Sequence, residues 1–241
     1  MSSHSLQGRR EEELFWWRRR GFVQGALAWT ALGGMAAAHA QQRSNVVELR
    51  GDVLLNGRRL RPDTIIQTGD SLETGPGSTL SFVLGNAAFH VRENSRTTVE
   101  RGQTLNTVSL LRLLTGAVVS VWGRGTSRTI VTPTLTAGIR GTGVYTEVRP
   151  QENFRSYFCN CYGTVLLTAG RDEALSQAQY HQAFWGEPAS VNGQLLRPAT
   201  AINHTDEELE MLARLIGERT AWQIAGRKGV KDGRGYMDPQ R

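Results

Sequence analysis

Alternation of apolar and polar residues is the feature that most constrains how this 241-residue chain can fold. In TLSFVLGNAAFHV, Leu80, Phe82 and Leu84 share one face of an extended strand, because successive side chains of a strand point to opposite sides. Similar short runs recur between residues 46 and 170, separated by Gly, Asn, Asp and Pro, which favour turns. No helix of three turns is indicated before residue 170, so this region is predicted to be all-β.

A nine-residue repeat bears on how the strands are arranged. NGRRLRPDT at 56–64 returns as NGQLLRPAT at 192–200, with six of nine positions identical. Two interpretations remain open. The copies belong to similar turn-plus-strand units that stack as in a short solenoid, or they share only the chemistry of a hairpin turn and agree otherwise by chance.

The C-terminal part of the chain has a different pattern. Residues 151–203 are predicted to be a β-rich extension, within which RDEALSQAQYHQAF is weakly helical by composition. Residues 204–218 are predicted to be an amphipathic helix, because Thr205 and Glu208 have the spacing of a capping box. Its apolar stripe, expected to pack on the β-body, consists of Leu209, Leu212, Leu215 and Ile216. The Gly-rich, basic residues 219–241 are predicted to be a flexible tail.

The first forty residues have the order of segments of a secretory signal. A charged stretch is followed by an uncharged apolar stretch and then by small residues at Ala38 and Ala40, which predict cleavage before Gln41. Arg19, Arg20 and Phe22 match the twin-arginine pattern, which predicts export of the folded protein to a bacterial periplasm. The alternative is that the segment is retained as an inner-membrane anchor.

The charge of the chain argues against nucleic acid as a partner. Removing the leader, which has five Arg and three Glu, lowers the net charge from +6 to +4. The remaining positive charge is modest and dispersed, whereas nucleic-acid-binding domains concentrate it on one face. We therefore expect no nucleic-acid partner.

The stretch TPTLTAGIRGTGVY at 132–145 places three glycines around Arg140. A phosphate-binding loop opens a helix, but strand-like sequence follows here, and the spacing is reversed relative to the dinucleotide fingerprint. The glycines are better explained as a backbone device for turns or close strand approach. Arg140 is then expected to be a structural donor to carbonyls of neighbouring turns.

These residues resemble the FecR-domain family. Where the family has VRTP-x-A-x-A-G-(V/I)-RGT-x-(F/Y), this chain has IVTPTLTAGIRGTGVY, and the upstream segments GDSLETG, VRENSRTTVE and LLRLLTGAVVSVW match the family in the right order. The resemblance covers residues 46–150. It marks a family-motif loop with a structural or interaction role, formed by Pro133, Ala137, Gly138, Arg140, Gly141 and Thr142.

The resemblance implies an all-β, solenoid-like stacked β domain, here with a short C-terminal helix, acting as a periplasmic binding, sensing or signalling-interaction module. The family's namesake relays a signal from an outer-membrane transporter to a sigma factor. The namesake has an N-terminal segment that binds the sigma factor, whereas only about twenty residues, rich in charge, precede the apolar stretch here, so no direct sigma-factor contact is expected. The expected partner is a periplasmic or envelope protein or polymer.

Cys159 and Cys161 are the only cysteines. Side chains at i and i+2 of a strand point to the same face, so the sulfurs could meet in a disulfide, although the Cα separation is near the upper limit for one. Three interpretations remain open: a structural or strained disulfide, a pair of free buried thiols, or a metal, haem or redox site.

A metal site would need further ligands, and His181 and His204 could complete a Cys₂His₂ set. The spacings match no known zinc pattern, so we expect no metal and no cofactor. Motifs of serine hydrolases, zinc proteases and P-loop enzymes are absent, so no enzymatic activity is expected. The alternative function is that of a thiol redox or metal-binding protein.

Overall fold

The computed structural model describes residues 44–102, 108–125 and 127–229. The signal peptide predicted over residues 1–40, including its export and cleavage residues, lies outside the described residues, as does the tail after residue 229. Within the described part of the chain, no helix is both long and apolar enough to cross a membrane.

The described residues form a β-sheet with helices at the C-terminal end, which confirms the predicted all-β class with a short C-terminal helix. The strands are β1 (Val46–Arg50), β2 (Val53–Leu55), β3 (Arg58–Arg59), β4 (Ser71–Thr74), β5 (Thr79–Leu84), β6 (Ala87–Val91), β7 (Arg96–Arg101), β8 (Val108–Trp122), β9 (Arg128–Val131), β10 (Thr136–Arg149), β11 (Arg155–Ala169), β12 (Asp172–Ala178), β13 (Gln182–Val191) and β14 (Gln194–Ala199). A 3-10 turn (Pro150–Glu152) joins β10 to β11, and the helices are α1 (Asp206–Leu215) and α2 (Ala221–Ala225).

The strand order is β14-β13-β11-β10-β9-β8-β7-β4-β2-β3, with β5 and β6 joined through β8 and with β1 paired to β5. All pairs are antiparallel except β8 with β9. The long strands change partners along their length. For example, β10 pairs with β9 through residues 136–139 and with β8 through residues 143–148. β11 likewise pairs with β12 through its C-terminal part and with β13 through its N-terminal part.

Two hydrophobic clusters lie on opposite faces of the central strands. We call the larger one the sheet core; it includes Phe82, Phe89, Trp122, Phe158 and Leu167. We call the smaller one the helix-side core; it lies beneath α1 and α2, and it includes Tyr145, Tyr157, Cys159, Cys161, Tyr162, Leu209, Leu212 and Trp222. Because side chains alternate along a strand, β11 supplies both clusters, which explains its continuous burial over residues 156–162.

The predicted helix is confirmed. Thr205 accepts a hydrogen bond from the Glu208 amide, and the Glu208 carboxylate accepts one from the Thr205 amide, so both halves of the capping box are present. Leu209 and Leu212 are buried as expected, whereas Leu215 is exposed because the buried stripe continues through Ala213 instead. The helix packs against β6, β8 and β10.

Three predictions need correction. RDEALSQAQYHQAF is not helical, because pairing with β11 makes its two ends part of β12 and β13. The tail is not flexible from residue 219, since α2 begins at Ala221, has its own capping box at Thr220, and buries Trp222. The repeat does not mark stacked neighbours, because its copies lie in the β2–β3 and β13–β14 hairpins at opposite ends of the strand order.

What the repeat copies share is the turn. Asn56 and Gly57 in the first hairpin and Asn192 and Gly193 in the second all have positive φ, between 52° and 81°. Two-residue turns of this kind match the twist of the strands they join, and Asn-Gly is their preferred sequence. The second interpretation, shared hairpin chemistry, therefore accounts for the repeat.

Candidate functional site

The family-motif loop is part of β10 and of the turn before it, and its residues alternate between the two faces of the sheet. Ala137 is buried in the sheet core. Gly138 and Arg140 are on the opposite, exposed face, Pro133 is exposed in the turn, and Thr142 is buried. The loop therefore contributes both to packing and to an external surface.

Two glycines of the motif are required by the backbone. Gly141 has a φ of +64°, in the left-handed region, where the register of β10 shifts against β11. A Cβ at Gly143 would lie 2.3 Å from the Tyr162 ring, which is closer than atoms can approach. The expected backbone role of the glycines agrees with this geometry. Arg140 was expected to donate to carbonyls of neighbouring turns, and this prediction is wrong. Its side chain is exposed and makes no hydrogen bond to turn carbonyls within the described residues.

Two large aliphatic side chains are exposed beside the motif residues. Leu166 of β11 pairs with Gly138 on one side and with Leu175 of β12 on the other. Leu166 is 41% exposed and Leu175 is 62% exposed. Arg140 lies two residues further along β10 and pairs with Thr164. We call this surface, formed by Gly138, Arg140, Thr164, Leu166, Leu175 and Gln177, the motif face.

A second candidate site lies in the helix-side core, where the structure brings Cys159, Cys161, His181 and His204 together. Their potential ligand atoms all lie within 4.8 Å of one another. We call these four residues the Cys–His cluster. The expectation of no metal rested on their spacing along the chain, and the fold removes that reason, because pairing of β13 with β11 brings His181 to the cysteines and docking of α1 brings His204 to them.

Local structure explains how each member reaches the cluster. Cys159 and Cys161 point to the same face of β11, as alternation requires. His181 lies in the break between β12 and β13, with a φ of +29°, and its backbone amide donates to the Cys161 carbonyl at 3.0 Å. His204 directly precedes Thr205, which is the N-cap residue of α1.

The four side chains form a compact set of contacts. The two sulfurs are 3.9 Å apart, Cys159 Sγ is 3.6 Å from His181 Nδ1, and Cys161 Sγ is 3.4 Å from His204 Nε2. His181 Nδ1 and His204 Nε2 are 3.0 Å apart. The cysteines are free thiols in this arrangement, so of the three interpretations left open by the sequence, the disulfide is not the one formed here. Each sulfur therefore lies next to one histidine nitrogen and next to the other sulfur.

Polar groups behind the histidines orient their rings. His204 Nδ1 donates to the Ile202 carbonyl at 2.6 Å, and His181 Nε2 lies 3.0 Å from an Asp206 carboxylate oxygen. Asp206 also accepts from the Tyr180 hydroxyl at 3.1 Å and pairs closely with Lys228. The sequence interpretation missed Asp206, Tyr180 and Lys228, because a carboxylate in the first turn of a helix is already explained by the helix dipole.

Aromatic rings enclose the cluster. The Tyr145 ring stacks on His204 with centroids 4.8 Å apart, and the Trp222 ring stacks on His181 with centroids 5.5 Å apart. Both cysteines and both histidine side chains are almost completely buried. Water is therefore excluded, and electrostatic interactions between the four residues are correspondingly strong.

Burial and mutual contact shift the pKa values in different directions. Burial opposes ionisation of Cys159, but a hydrogen bond from Cys161 and the neighbouring histidines hold its pKa well below the ordinary thiol value. Burial and the adjacent Cys159 raise the pKa of Cys161 well above that value. Burial lowers the pKa of His181, but Asp206 and Cys159 outweigh it and raise that pKa to about 9. The cluster thus favours a thiolate beside a positive charge.

Comparison with known proteins adds a limited structural similarity. No protein-family model matches the chain, and no curated protein matches it. The chain is similar to two crystal structures, each of a proposed anti-sigma factor from Parabacteroides distasonis. One match has 11% identity, a TM-score of 0.44, and covers 61% of this chain and 65% of that one. The other has 13% identity, a TM-score of 0.44, and covers 63% and 66%.

Proposed function

We propose that this chain is a non-catalytic interaction module of the FecR type, exported to the periplasm, where it binds a protein or polymer of the cell envelope in a sensing or signalling role. The proposal is supported by the motif resemblance over residues 46–150 and by the β-rich fold that the resemblance implied. The partner is expected to dock on the motif face.

The observation that carries the proposal is the pair of exposed leucines beside the motif residues. Leu166 and Leu175 are adjacent on neighbouring strands, so their apolar surfaces are contiguous. Contiguous exposed apolar surface edged by polar groups is a common mark of a protein-interaction site. Thr164 and Gln177 supply such an edge next to the leucines.

Arg140 adds specificity to this surface. Its guanidinium is exposed and makes no ion pair with the described residues. Arginine is enriched at protein interfaces, where its planar group binds carboxylates through two hydrogen bonds. We therefore expect the partner to present an acidic group next to an apolar patch.

The test is site-specific photo-crosslinking in the native host, with the photoreactive residue at Gln177 on the motif face or at Arg50 on β1. An adduct is expected from position 177 and not from position 50. It should disappear when Leu166 and Leu175 are both changed to Thr. It should persist in the matched control Val47→Thr, which changes another exposed aliphatic residue, 48% exposed, on β1.

Adducts of equal strength from both positions, or an adduct unaffected by the double leucine change, would place the contact elsewhere and refute the motif face. The intact mass of the protein in each cell fraction tests export separately. A periplasmic chain that begins at Gln41 supports the proposal, whereas a full-length mass in the inner membrane supports the anchored alternative.

A further inference from the structure

We propose that Cys159, Cys161, His181 and His204 bind one Zn²⁺ ion in a closed, four-coordinate structural site. The inference goes beyond the proposed function, because it rests on the helix-side core and not on the motif face. It is supported by the ligand geometry, by the orientation of the histidines and by the balance of charge.

The distances fit a tetrahedral ion. With Zn–S near 2.3 Å and Zn–N near 2.0–2.1 Å, a tetrahedron separates two nitrogens by about 3.3 Å and two sulfurs by about 3.8 Å. The observed separations are 3.0 Å between the nitrogens and 3.9 Å between the sulfurs. The two short sulfur–nitrogen separations, 3.6 Å and 3.4 Å, bracket the ideal value of about 3.5 Å.

The remaining two separations are no longer than 4.8 Å, so a side-chain movement of about one ångström completes the tetrahedron. Both cysteines lie on one strand, β11, and both histidines lie in connecting segments. The site therefore exists in the fold and does not need to be assembled from distant parts.

The hydrogen bonds of the histidines direct one ring nitrogen of each into the cluster. The Ile202 carbonyl can only accept, so it fixes the proton of His204 on Nδ1 and leaves the Nε2 lone pair facing Cys161. The Asp206 carboxylate similarly accepts from His181 Nε2 and leaves Nδ1 facing Cys159. Histidines that bind zinc usually donate their other ring N–H to a carboxylate or a carbonyl in this way.

Two nitrogen lone pairs then face each other at 3.0 Å, an arrangement that a proton or a metal ion between them would stabilise. A proton on His181 can serve this purpose in the absence of metal, with Cys159 as the thiolate. A Zn²⁺ ion would accept lone pairs from both sulfurs and both ring nitrogens at once, so no proton between the nitrogens would be needed. The choice between a protonated hydrogen-bonded network and a metal centre is what the experiment decides.

The charges balance when zinc is bound. Two thiolates and two neutral imidazoles around a divalent ion have no net charge, and the adjacent Asp206 is paired with Lys228. A buried site of this kind avoids the cost of an uncompensated charge in the protein interior. Two thiolates with two imidazoles in tetrahedral geometry select Zn²⁺ over hard ions such as Mg²⁺ and Ca²⁺.

Four protein ligands leave no open position, which marks the site as structural and not catalytic. The ligands come from β11, from the break between β12 and β13, and from the residue before the cap of α1. One ion would therefore connect the sheet to the C-terminal helices.

The experiment uses the full chain, purified under reducing conditions without added metal, and measures zinc by elemental analysis. One zinc per chain is expected. Cobalt exchanged into the protein should show the visible bands of a tetrahedral thiolate site. Cys161→Ser and His204→Ala should lose the metal, whereas His90→Gln, which changes a histidine outside the cluster, should retain it.

Since a ligand variant could fail to fold, His204→Cys provides a second readout. It should retain the metal and move the cobalt charge-transfer bands toward those of a three-thiolate site. A folded wild-type chain that contains no zinc and binds neither added zinc nor cobalt would overturn the proposal. Retention of metal by Cys161→Ser at the wild-type level and with an unchanged cobalt spectrum would overturn it as well.

Discussion

The sheet core and the helix-side core share the strands β8, β10 and β11, yet they are built from different chemistry. On one face, these strands bury aliphatic and phenyl side chains such as Val118, Val144 and Phe158. On the other, they bury Val119 and Val121 together with Tyr145, Tyr157 and the two cysteines, and the polar atoms of these last four need partners. The first face is stabilised by removal of apolar surface from water, whereas the second depends on a set of specific contacts.

This difference explains why the two cores should respond to different perturbations. Apolar packing has no single essential contact, although each lost side chain leaves a cavity. A polar network in a dry interior is stable when every member is satisfied and costly when one is missing. We expect the sheet core to be insensitive to metal, and the helix-side core to depend on it.

The largest expected effect comes from the sheet core. Phe89 is fully buried, stacks on Phe82 at 4.8 Å, and contacts the edge of Trp122 at 5.0 Å. Phe89→Ala should lower the free energy of unfolding by about 3–5 kcal/mol, through lost burial and a residual cavity. In urea denaturation, the free energy of unfolding should fall by a similar amount with zinc present and with a chelator present.

The control Leu114→Ala, at an exposed position, should change the free energy of unfolding little. A fall for Phe89→Ala that is seen only with zinc present would contradict the comparison of the two cores.

An intermediate effect is expected from the support of the Cys–His cluster. Asp206→Asn keeps the volume of the side chain but removes the charge that orients His181 and pairs with Lys228. Zinc affinity, measured by competition with a chromophoric chelator, should fall about 10–100-fold, as it does when a group that orients a metal-binding histidine is lost.

Glu207→Gln is the matched control for this change. It removes a negative charge from the same turn of α1, but its side chain is exposed. Equal losses of zinc affinity in the two variants would show that the helix dipole, and not the contact with His181, is responsible.

The smallest effect is expected at the start of α1. Thr205→Ala removes the side chain that accepts from the Glu208 amide, and such a loss costs about 1 kcal/mol. Thr205→Ser retains the hydroxyl and should recover most of this stability in thermal unfolding. A loss in Thr205→Ser as large as that in Thr205→Ala would mean that the methyl group, and not the cap, matters.

The sequence predicted those parts of the fold that depend on local pattern. Alternation in TLSFVLGNAAFHV predicted β5 and β6, and the spacing of Thr205 and Glu208 predicted the start of α1. Residues 151–203 were predicted to be β-rich, but the strand structure of RDEALSQAQYHQAF within them was not, because this stretch has no alternation strong enough to override its composition. Pairing with β11, a tertiary effect, decides its structure.

The Cys–His cluster could be predicted only in part. That Cys159 and Cys161 share a face follows from their spacing in a strand, and that face is confirmed. The contact between Cys159 and His181 depends on the break between β12 and β13. The contact between Cys161 and His204 depends on the docking of α1. The spacing of the residues along the chain indicates neither contact, so it matches no known zinc-binding sequence pattern.

The most direct test of the account is hydrogen–deuterium exchange of the full chain, loaded with zinc and after removal of the metal under reducing conditions. We expect that loss of metal speeds exchange at residues 157–161 and 180–225, while β4, β5 and β6 keep their protection. Equal exchange in the two samples, or a loss of protection spread evenly over the sheet, would contradict the claim that the two cores are stabilised by different chemistry.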